Sequence, residues 1–207
     1  MFLKQTAPPA AEPLSLAEAK AHLRVDASDD DALITALIGA ARQYAETECQ
    51  RVFVTQSWQL LLDSFPGPSL MGVPAGVPFS LPKHAILVDR SPVQTIDSIQ
   101  YMDMAGAWQT MPVGDYAVDL NCCPARITPA FGKIWPITMP QIAAVKVNFT
   151  AGYGTAAAVP QGIKAWMLIR IGTLYENRTE TANINSGKLE PLPYIDRLLD
   201  GYRVEIM

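Results

Sequence analysis

Two histidines and three cysteines are the side chains of this sequence with the most capacity for acid–base, nucleophilic or metal chemistry. Hydrolytic catalysis requires a nucleophile beside a positioned base, yet His22 and His84 lie in short segments with no catalytic motif around them. Cys49 is isolated, and the adjacent pair Cys122 and Cys123 has neither the spacing of a zinc site nor that of a disulfide framework. We interpret the histidines as surface residues and the adjacent cysteines as small, buried hydrophobic side chains in a turn.

Two further segments contain residue types that occur in ligand sites. The acidic run 29–31 could offer carboxylates to a cation, but it lacks the spaced ligands and turn glycine of a calcium loop, so we assign it to a helix start. The glycines of segment 151–154 could approach a phosphate, but the segment lacks the Lys-Ser/Thr ending of a P-loop and the third glycine of a dinucleotide turn. We therefore predict no catalytic residue, no metal ligand and no cofactor.

The composition restricts the class of partner. Charged residues make up 17% of the chain and hydrophobic residues 49%, which leaves a surface poor in charge and suited to protein contacts. Sixteen Lys and Arg against twenty Asp and Glu lack the basic excess of a protein that grips DNA phosphates. No apolar stretch approaches the roughly 20 residues of a membrane span, and the Pro/Ala-rich N-terminus does not form the apolar core of a signal peptide. We expect cytoplasmic synthesis and no membrane partner.

Two helices are predicted in the N-terminal quarter. Ser15 and Glu18 have the spacing of a capping box, which predicts a short helix ending near Arg24. The acidic run predicts a second start, and apolar residues then recur at spacings of three and four as far as Cys49. The apolar stripe consists of Leu33, Ile34, Leu37, Ile38, Ala41, Tyr44, Ala45 and Cys49. Residues 1–14, before the capping box, are predicted to be a flexible arm.

From Val52 the pattern changes to the alternation of a half-buried strand. Its predicted inner face is Val52, Val54, Trp58, Leu60 and Leu62, and its outer face is Gln56, Gln59, Leu61 and Asp63. Residues 65–82 are rich in proline and glycine, which is typical of a loop. Further strands are predicted at 85–89, 95–102, 108–111, 116–120, 125–128 and 143–150. This spacing indicates a small antiparallel barrel or sandwich.

Helical spacing returns after the glycines of 151–154. Pro160 suits the first turn of a helix that continues to about Asn177, and Pro193 starts a last short helix after a polar loop at 178–188. The predicted fold class is α+β, with N- and C-terminal helices forming a small helical bundle around an inserted antiparallel β barrel or sandwich. Residues 15–51 plus 158–207 form the predicted helical domain, and 52–157 form the inserted β domain.

The C-terminus is apolar where most chain ends are polar. The residues concerned are Leu198, Leu199, Tyr202, Val204, Ile206 and Met207. Such a tail either folds back on its own core or docks on another chain, because exposed apolar surface otherwise promotes association. The sequence favours neither alternative.

Several short motifs follow one another in a defined order. The first is LSLAEAKAHLRV at 14–25, followed by the acidic helix start and by a helix that ends in AETEC at 45–49. The later motifs are Arg126-Ile127, Trp135-Pro136, the strand and turn VKVNFTAGYG, Val159-Pro160 with Ile163-Lys164, and LYENR at 174–178. In this order they resemble the head-tail connector (adaptor) family of tailed bacteriophages, in the longer branch whose helices are separated by a β insertion.

The resemblance implies a non-enzymatic structural protein of the virion, synthesised in the host bacterial cytoplasm. It implies a homo-oligomeric ring of about twelve copies beneath the portal ring, with heterologous contacts between copies. The implied partners are the portal protein and a downstream tail or tail-terminator protein, while DNA passes through the ring without specific binding. In such adaptors the C-terminal segment reaches the portal, so the portal-docking candidates are Leu198, Tyr202, Arg203, Val204 and Ile206.

A second hypothesis comes from the aromatic residues of the β region. Trp58, Trp108, Trp135 and Tyr153 could line a pocket for a small molecule or a carbohydrate, or they could fill a core. The sequence leaves this alternative open.

Overall fold

The structure is a computed structural model that describes residues 2–67, 84–177 and 197–204. Helices and antiparallel sheets are both present, which confirms the predicted α+β class. In chain order the elements are β1 (Phe2–Ala7), α1 (Leu16–Leu23), α2 (Asp31–Cys49), β2 (Gln56–Leu62), β3 (Ile86–Val88), β4 (Val93–Met102), β5 (Trp108–Thr110), β6 (Tyr116–Asp119), β7 (Ala125–Pro129), β8 (Val145–Ala151), α3 (Gln161–Glu176) and α4 (Arg197–Asp200). Most of the predicted loop 65–82 and all of 178–188 lie outside the described residues.

The chain divides into two compact units, each built from two stretches of sequence. The β unit, Met1–Pro8 with Thr55–Gly152, carries the strands, and the helical unit, Pro9–Val54 with Tyr153–Met207, carries the four α-helices. These ranges differ from the predicted ones because Phe53 and Val54 are buried in the helical core and do not start strand β2.

The β unit contains two antiparallel sheets. One has the strand order β1-β2-β8-β4-β5 and the other the order β3-β7-β6. Strand β8 lies between β2 and β4, and its alternate residues Val145, Val147, Phe149 and Ala151 are buried. The described strands form no closed barrel, so the barrel alternative is wrong, and the sandwich alternative stays a prediction.

Strand β1 lies within the segment for which we predicted a flexible arm. Its backbone pairs with β2 in antiparallel register, with Leu3 opposite Leu60, and the Gln5 side chain donates to the Gln56 side chain at 2.7 Å. Most β1 side chains are exposed, so hydrophobic periodicity could not reveal the strand. Backbone pairing with the edge of β2 holds it in place. Gln56 is buried, although we had assigned it to the outer face. It lies two residues before Trp58 and therefore on the same face of β2, where the bond to Gln5 satisfies its side chain.

The helical unit begins with the predicted capping box. The Ser15 hydroxyl accepts from the Glu18 amide at 3.2 Å, and the Glu18 carboxylate accepts from the Ser15 amide at 2.7 Å. The predicted helices α1, α2 and α3 then share one hydrophobic core. Its buried members include Leu14, Ala19, Ile34, Ile38, Ala41, Ala45, Cys49, Phe53, Val159, Ile163, Trp166, Met167, Ile171 and Leu199.

A charged network runs through this apolar unit at Arg42, which is 7% exposed. Its guanidinium donates to Glu12 and to Glu46 at 2.7 Å each, and the other oxygen of Glu46 accepts from the amide of Phe53 at 2.9 Å. Burial alone would lower the pKa of Arg42, but the two carboxylates outweigh burial and raise it. The network ties the segment before α1 and the turn after α2 to the middle of α2.

We expect the substitution Arg42→Ala to lower the free energy of unfolding by roughly 3 kcal/mol, because it leaves the Glu46 carboxylate buried without its cation. Urea denaturation followed by circular dichroism measures the change. The matched control is Gln43→Ala, at the next and exposed position of α2, which should change stability by no more than about 0.5 kcal/mol. Equal effects of the two substitutions would contradict the structural role of Arg42.

Candidate docking site at the C-terminus

The described C-terminal segment starts with the short helix α4. Leu199 is 1% exposed and belongs to the helical core, whereas the adjacent Leu198 is 37% exposed. Successive residues of a helix point in different directions, so one of the two leucines anchors the segment and the other remains accessible.

Tyr202 packs back onto the helical unit. Its amide donates to the carbonyl of Leu199 at 2.8 Å, and its carbonyl accepts from the guanidinium of Arg51. Its ring lies against Gly162 near the start of α3, where a Cβ atom would be 3.1 Å from the ring. The absence of a side chain at Gly162 therefore permits this close contact.

The next two residues attach to the end of α2. The amide of Val204 donates to the carbonyl of Cys49 at 3.1 Å, and the Arg203 guanidinium lies 3.5 Å from Glu48 and 3.3 Å from Asp200. Over residues 197–204 the tail thus folds back on its own unit, which was one of the two alternatives that the sequence left open. Ile206 lies outside the described residues.

Cys49 lies under this segment and is fully buried. Burial raises the pKa of its thiol to about 11, although Arg203 and Arg51 act in the opposite direction. Burial also raises the pKa of Tyr153. A neutral, shielded thiol is a poor nucleophile, so we interpret Cys49 as a core residue. Its reactivity would increase if the C-terminal segment detached, which makes it a useful probe of tail attachment.

The structure divides the portal-docking candidates into two groups. The side chains of Leu198 and Arg203 are 37% and 42% exposed and could reach a partner without any change in the fold. Tyr202 and Val204 are only partly exposed and hold the tail in place. The docking role itself stays a prediction for all five residues.

The histidines and the acidic run make structural contacts. The His22 ring lies about 4 Å from the position that a Cβ atom would take at Gly172, so it packs α1 near α3. Asp31 pairs with Lys20 at 2.6 Å, and Asp30 accepts from the Tyr175 hydroxyl. The described residues contain no group of three or more side chains arranged to bind a metal ion.

The adjacent cysteines lie in a turn of the β unit, but Cys122 is partly exposed and Cys123 is exposed, so the prediction that they are buried is wrong. The Cys122 thiol donates to Asp119 at 3.0 Å, which raises the pKa of Cys122. Arg126 donates to the same carboxylate and lowers the pKa of Asp119 to about 2. A thiol stabilised in its neutral form is not activated, so this cluster stabilises the turn.

The tryptophans of the β unit are not gathered into one pocket. Arg90 lies over Trp58, and Lys146 lies over Trp108 at 3.6 Å from the ring centroid. Trp135 stacks on Phe65 with the ring centroids 4.7 Å apart, beside an open cavity that neither Trp58 nor Trp108 lines. This arrangement gives no support to a carbohydrate or small-molecule site.

Sequence reasoning missed the segment 131–142 between β7 and β8, which we call the apolar loop. It exposes Phe131, Ile134, Ile137 and Ile142 almost completely. The available signal was the absence of any charged residue from 134 to 143.

Comparison with known proteins places this geometry in a wider context. Residues 13–87, which include α1, α2 and β2, match one family model. They match the family of phage gp6-like head-tail connector proteins. The resemblance predicted from the motif order is therefore confirmed. No curated protein sequence matches this chain.

Solved structures match this chain over its whole length. One is a chain in "Neck of empty GTA particle computed with C6 symmetry", with a TM-score of 0.76 and 21% identity over 100% of this chain and 98% of that chain. Others are in "Virion of native gene transfer agent (GTA) particle" and "Neck of native GTA particle computed with C12 symmetry", each with a TM-score of 0.74, 20% identity and the same coverage. At this identity the matches show a shared fold.

We expect Tyr202→Ala to release the C-terminal segment from the helical unit. Loss of the aromatic ring removes its contact with Gly162. The free energy of unfolding should fall by about 1 to 2 kcal/mol, less than for a fully buried aromatic residue. In a Cys122→Ser/Cys123→Ser background, the rate of Cys49 alkylation at pH 8 measures the release. The exposed Leu198→Ala variant is the control, and its Cys49 should stay as protected as in the parent. Equal protection in both variants would show that Tyr202 does not hold the tail.

Proposed function

We propose that this chain is a structural head-tail connector that forms a ring beneath a portal and presents a platform for tail attachment. The observation that carries the proposal is the family match over residues 13–87, the range that contains the capping box, α1 and α2. The shared fold over the whole chain with subunits of particle necks supports it. The non-enzymatic role follows from the same family match.

The number of copies belongs to this proposal. One of the solved structures of the same fold is a neck computed with C12 symmetry and another a neck computed with C6 symmetry. A ring of about twelve copies would use heterologous contacts, in which one face of a subunit meets a different face of the next. The low content of charged residues, 17%, suits two such faces on one subunit. A net charge of -4 would also let DNA pass without a strong hold on its phosphates.

The helical unit is the proposed connector domain, with its helices packed as a bundle, and α4 is its proposed portal-facing end. Leu199 and Tyr202 fix the segment from inside, so that Leu198 and Arg203 are presented in a defined geometry. A pre-ordered docking segment loses less conformational entropy on binding than a free tail. Val204 extends the same segment, Ile206 is a further docking candidate from the sequence, and a tail or tail-terminator protein would bind elsewhere on the ring.

The double substitution Leu198→Asp/Arg203→Gln tests portal docking while it keeps the internal anchors and avoids placing a carboxylate beside Glu48 and Asp200. Both side chains are exposed, so the thermal midpoint should stay within about 3 °C of the parent, a shift that corresponds to a small surface effect. Attachment to purified portal rings, measured by mass photometry, should weaken at least about tenfold, because a carboxylate replaces one apolar contact and one cation is lost.

Leu174→Asp is the matched control for this experiment. Leu174 has the same exposure of 37% but lies near the end of α3, whereas Tyr202 contacts its start. Unchanged portal binding by the double variant would remove α4 from the docking surface. Failure of the parent chain to bind the portal and to form any ring would refute the connector function.

A further inference from the structure

The apolar loop is held firmly at several points of the β unit. The Trp135 ring nitrogen donates to the carbonyl of His84 at 2.7 Å, and its ring stacks on Phe65. The amide of Met139 donates to the carbonyl of Met102 at 3.0 Å, and the amide of Ala143 donates to Asp63 at 2.9 Å. These contacts fix the loop although it contains no helix or strand.

The same loop directs large apolar side chains into solvent. The exposed fractions are 108% for Phe131, 86% for Ile134, 79% for Ile137 and 87% for Ile142. Single exposed apolar residues are ordinary, but four in twelve residues of a well-held loop form a surface of the kind found at protein contacts. Its internal anchors use Trp135, Met139 and Ala143 instead.

The chemistry of the loop favours a permanent contact between like chains. Residues 134–143 contain no charged side chain, and Lys133 at the start is paired with Asp115 at 3.1 Å. Interfaces between identical subunits are more apolar than interfaces of transient partners and have fewer charged groups at their centre. The large exposed side chains of the loop are aliphatic or aromatic apart from Lys133 and Gln141, and with Lys133 paired the loop offers little for the charge steering that separate partners use.

We propose that the apolar loop binds a second copy of this chain, inserting Phe131, Ile134, Ile137 and Ile142 against a different face of the neighbour. The proposal rests on the connector function and adds the surface through which the ring would close. Head-to-tail contacts of this kind form a closed ring only if the rotation from copy to copy brings the last copy back to the first. The occurrence of the same fold in a neck computed with C12 symmetry supports a second copy over other occupants.

The test uses the double variant Ile137→Ser/Ile142→Ser in the full chain. Both side chains are exposed, so folding should be unchanged. The matched control is Phe2→Ser, which removes a 63% exposed aromatic residue from β1, at the opposite edge of the five-stranded sheet from β5. Each protein is titrated onto purified portal rings, and mass photometry counts the copies on each ring. Sedimentation velocity measures self-association of each protein alone.

A contact between copies predicts cooperative filling, so that portal rings carry either no copies or a full set. The double variant should fill portal rings one copy at a time. Its concentration for half-filling should rise at least about tenfold, because the burial of each isoleucine side chain strengthens binding by about tenfold. Phe2→Ser should fill rings as the parent does. Self-association of the parent, where it occurs, should weaken by the same factor in the double variant only.

Three outcomes overturn the proposal. If the double variant fills portal rings as cooperatively and at the same concentration as the parent, the connector function stands and the loop is excluded from the contact between copies. If the double variant fills portal rings cooperatively but at a higher concentration, the loop binds the portal and not a second copy. A parent chain that neither binds the portal nor self-associates would refute both the connector function and the loop contact. If the parent self-associates through the loop but does not bind the portal, the loop contact stands and only the connector function is refuted.

Discussion

The buried guanidinium of Arg42 is the interaction on which the geometry of the helical unit depends. A cation in an apolar core is tolerated only with anionic partners, and here these come from two different stretches, Glu12 before α1 and Glu46 one turn along α2. Because Glu46 also accepts from the Phe53 amide, the charge fixes the place where the chain leaves α2. The end of α2 carries Cys49, and the C-terminal segment binds to the carbonyl of that residue. The position of the tail is therefore coupled to the network through one helix.

A contrast between the two candidate surfaces follows from how each is held. The tail is fixed by a buried leucine and a half-buried tyrosine, which leaves one aliphatic and one cationic side chain accessible. The apolar loop is fixed by hydrogen bonds to the backbone and by an aromatic stack, which leaves its aliphatic groups outside. The first surface can discriminate between partners by charge, while the second provides burial area without charge discrimination. The proposed function would need both properties, since a ring subunit of this kind would meet a different protein and also its own copies.

The elements that could be predicted are those whose signal is local. The capping box at Ser15 and the period of three and four in α2 gave both N-terminal helices, and alternation with turn residues gave the six strands from β3 to β8. Strand β1 could not be found in this way, because its side chains are mostly exposed and its partner lies more than 50 residues away. Gln56 was assigned to the outer face because it is polar, although its spacing of two from Trp58 places it on the inner face, where it bonds to Gln5. A polar residue in a pattern gives no sign of a distant partner.

The docking candidates show a similar division. The apolar tail was visible in the sequence, but the choice of Leu199 and Tyr202 as anchors depends on α2, Arg51 and the bare backbone at Gly162, which are far away in the chain. The apolar loop was visible only as a stretch without charge. Its exposure follows from anchors at His84, Met102 and Asp63 that no spacing rule connects with it.

The interleaved order of the two units has a consequence for how the chain acquires its structure. The β unit takes its edge strand from Met1–Pro8 and the rest from Thr55–Gly152, while the helical unit takes α3 and α4 from the last quarter of the chain. During synthesis α1 and α2 emerge first but lack Ile163, Trp166, Met167 and Ile171, which complete their core. The β unit is the first that can be completed, once β8 has joined β2 and β4. Long-range pairing of this kind folds slowly. The surfaces of the helical unit thus become available for assembly only after α3 and α4 have been synthesised.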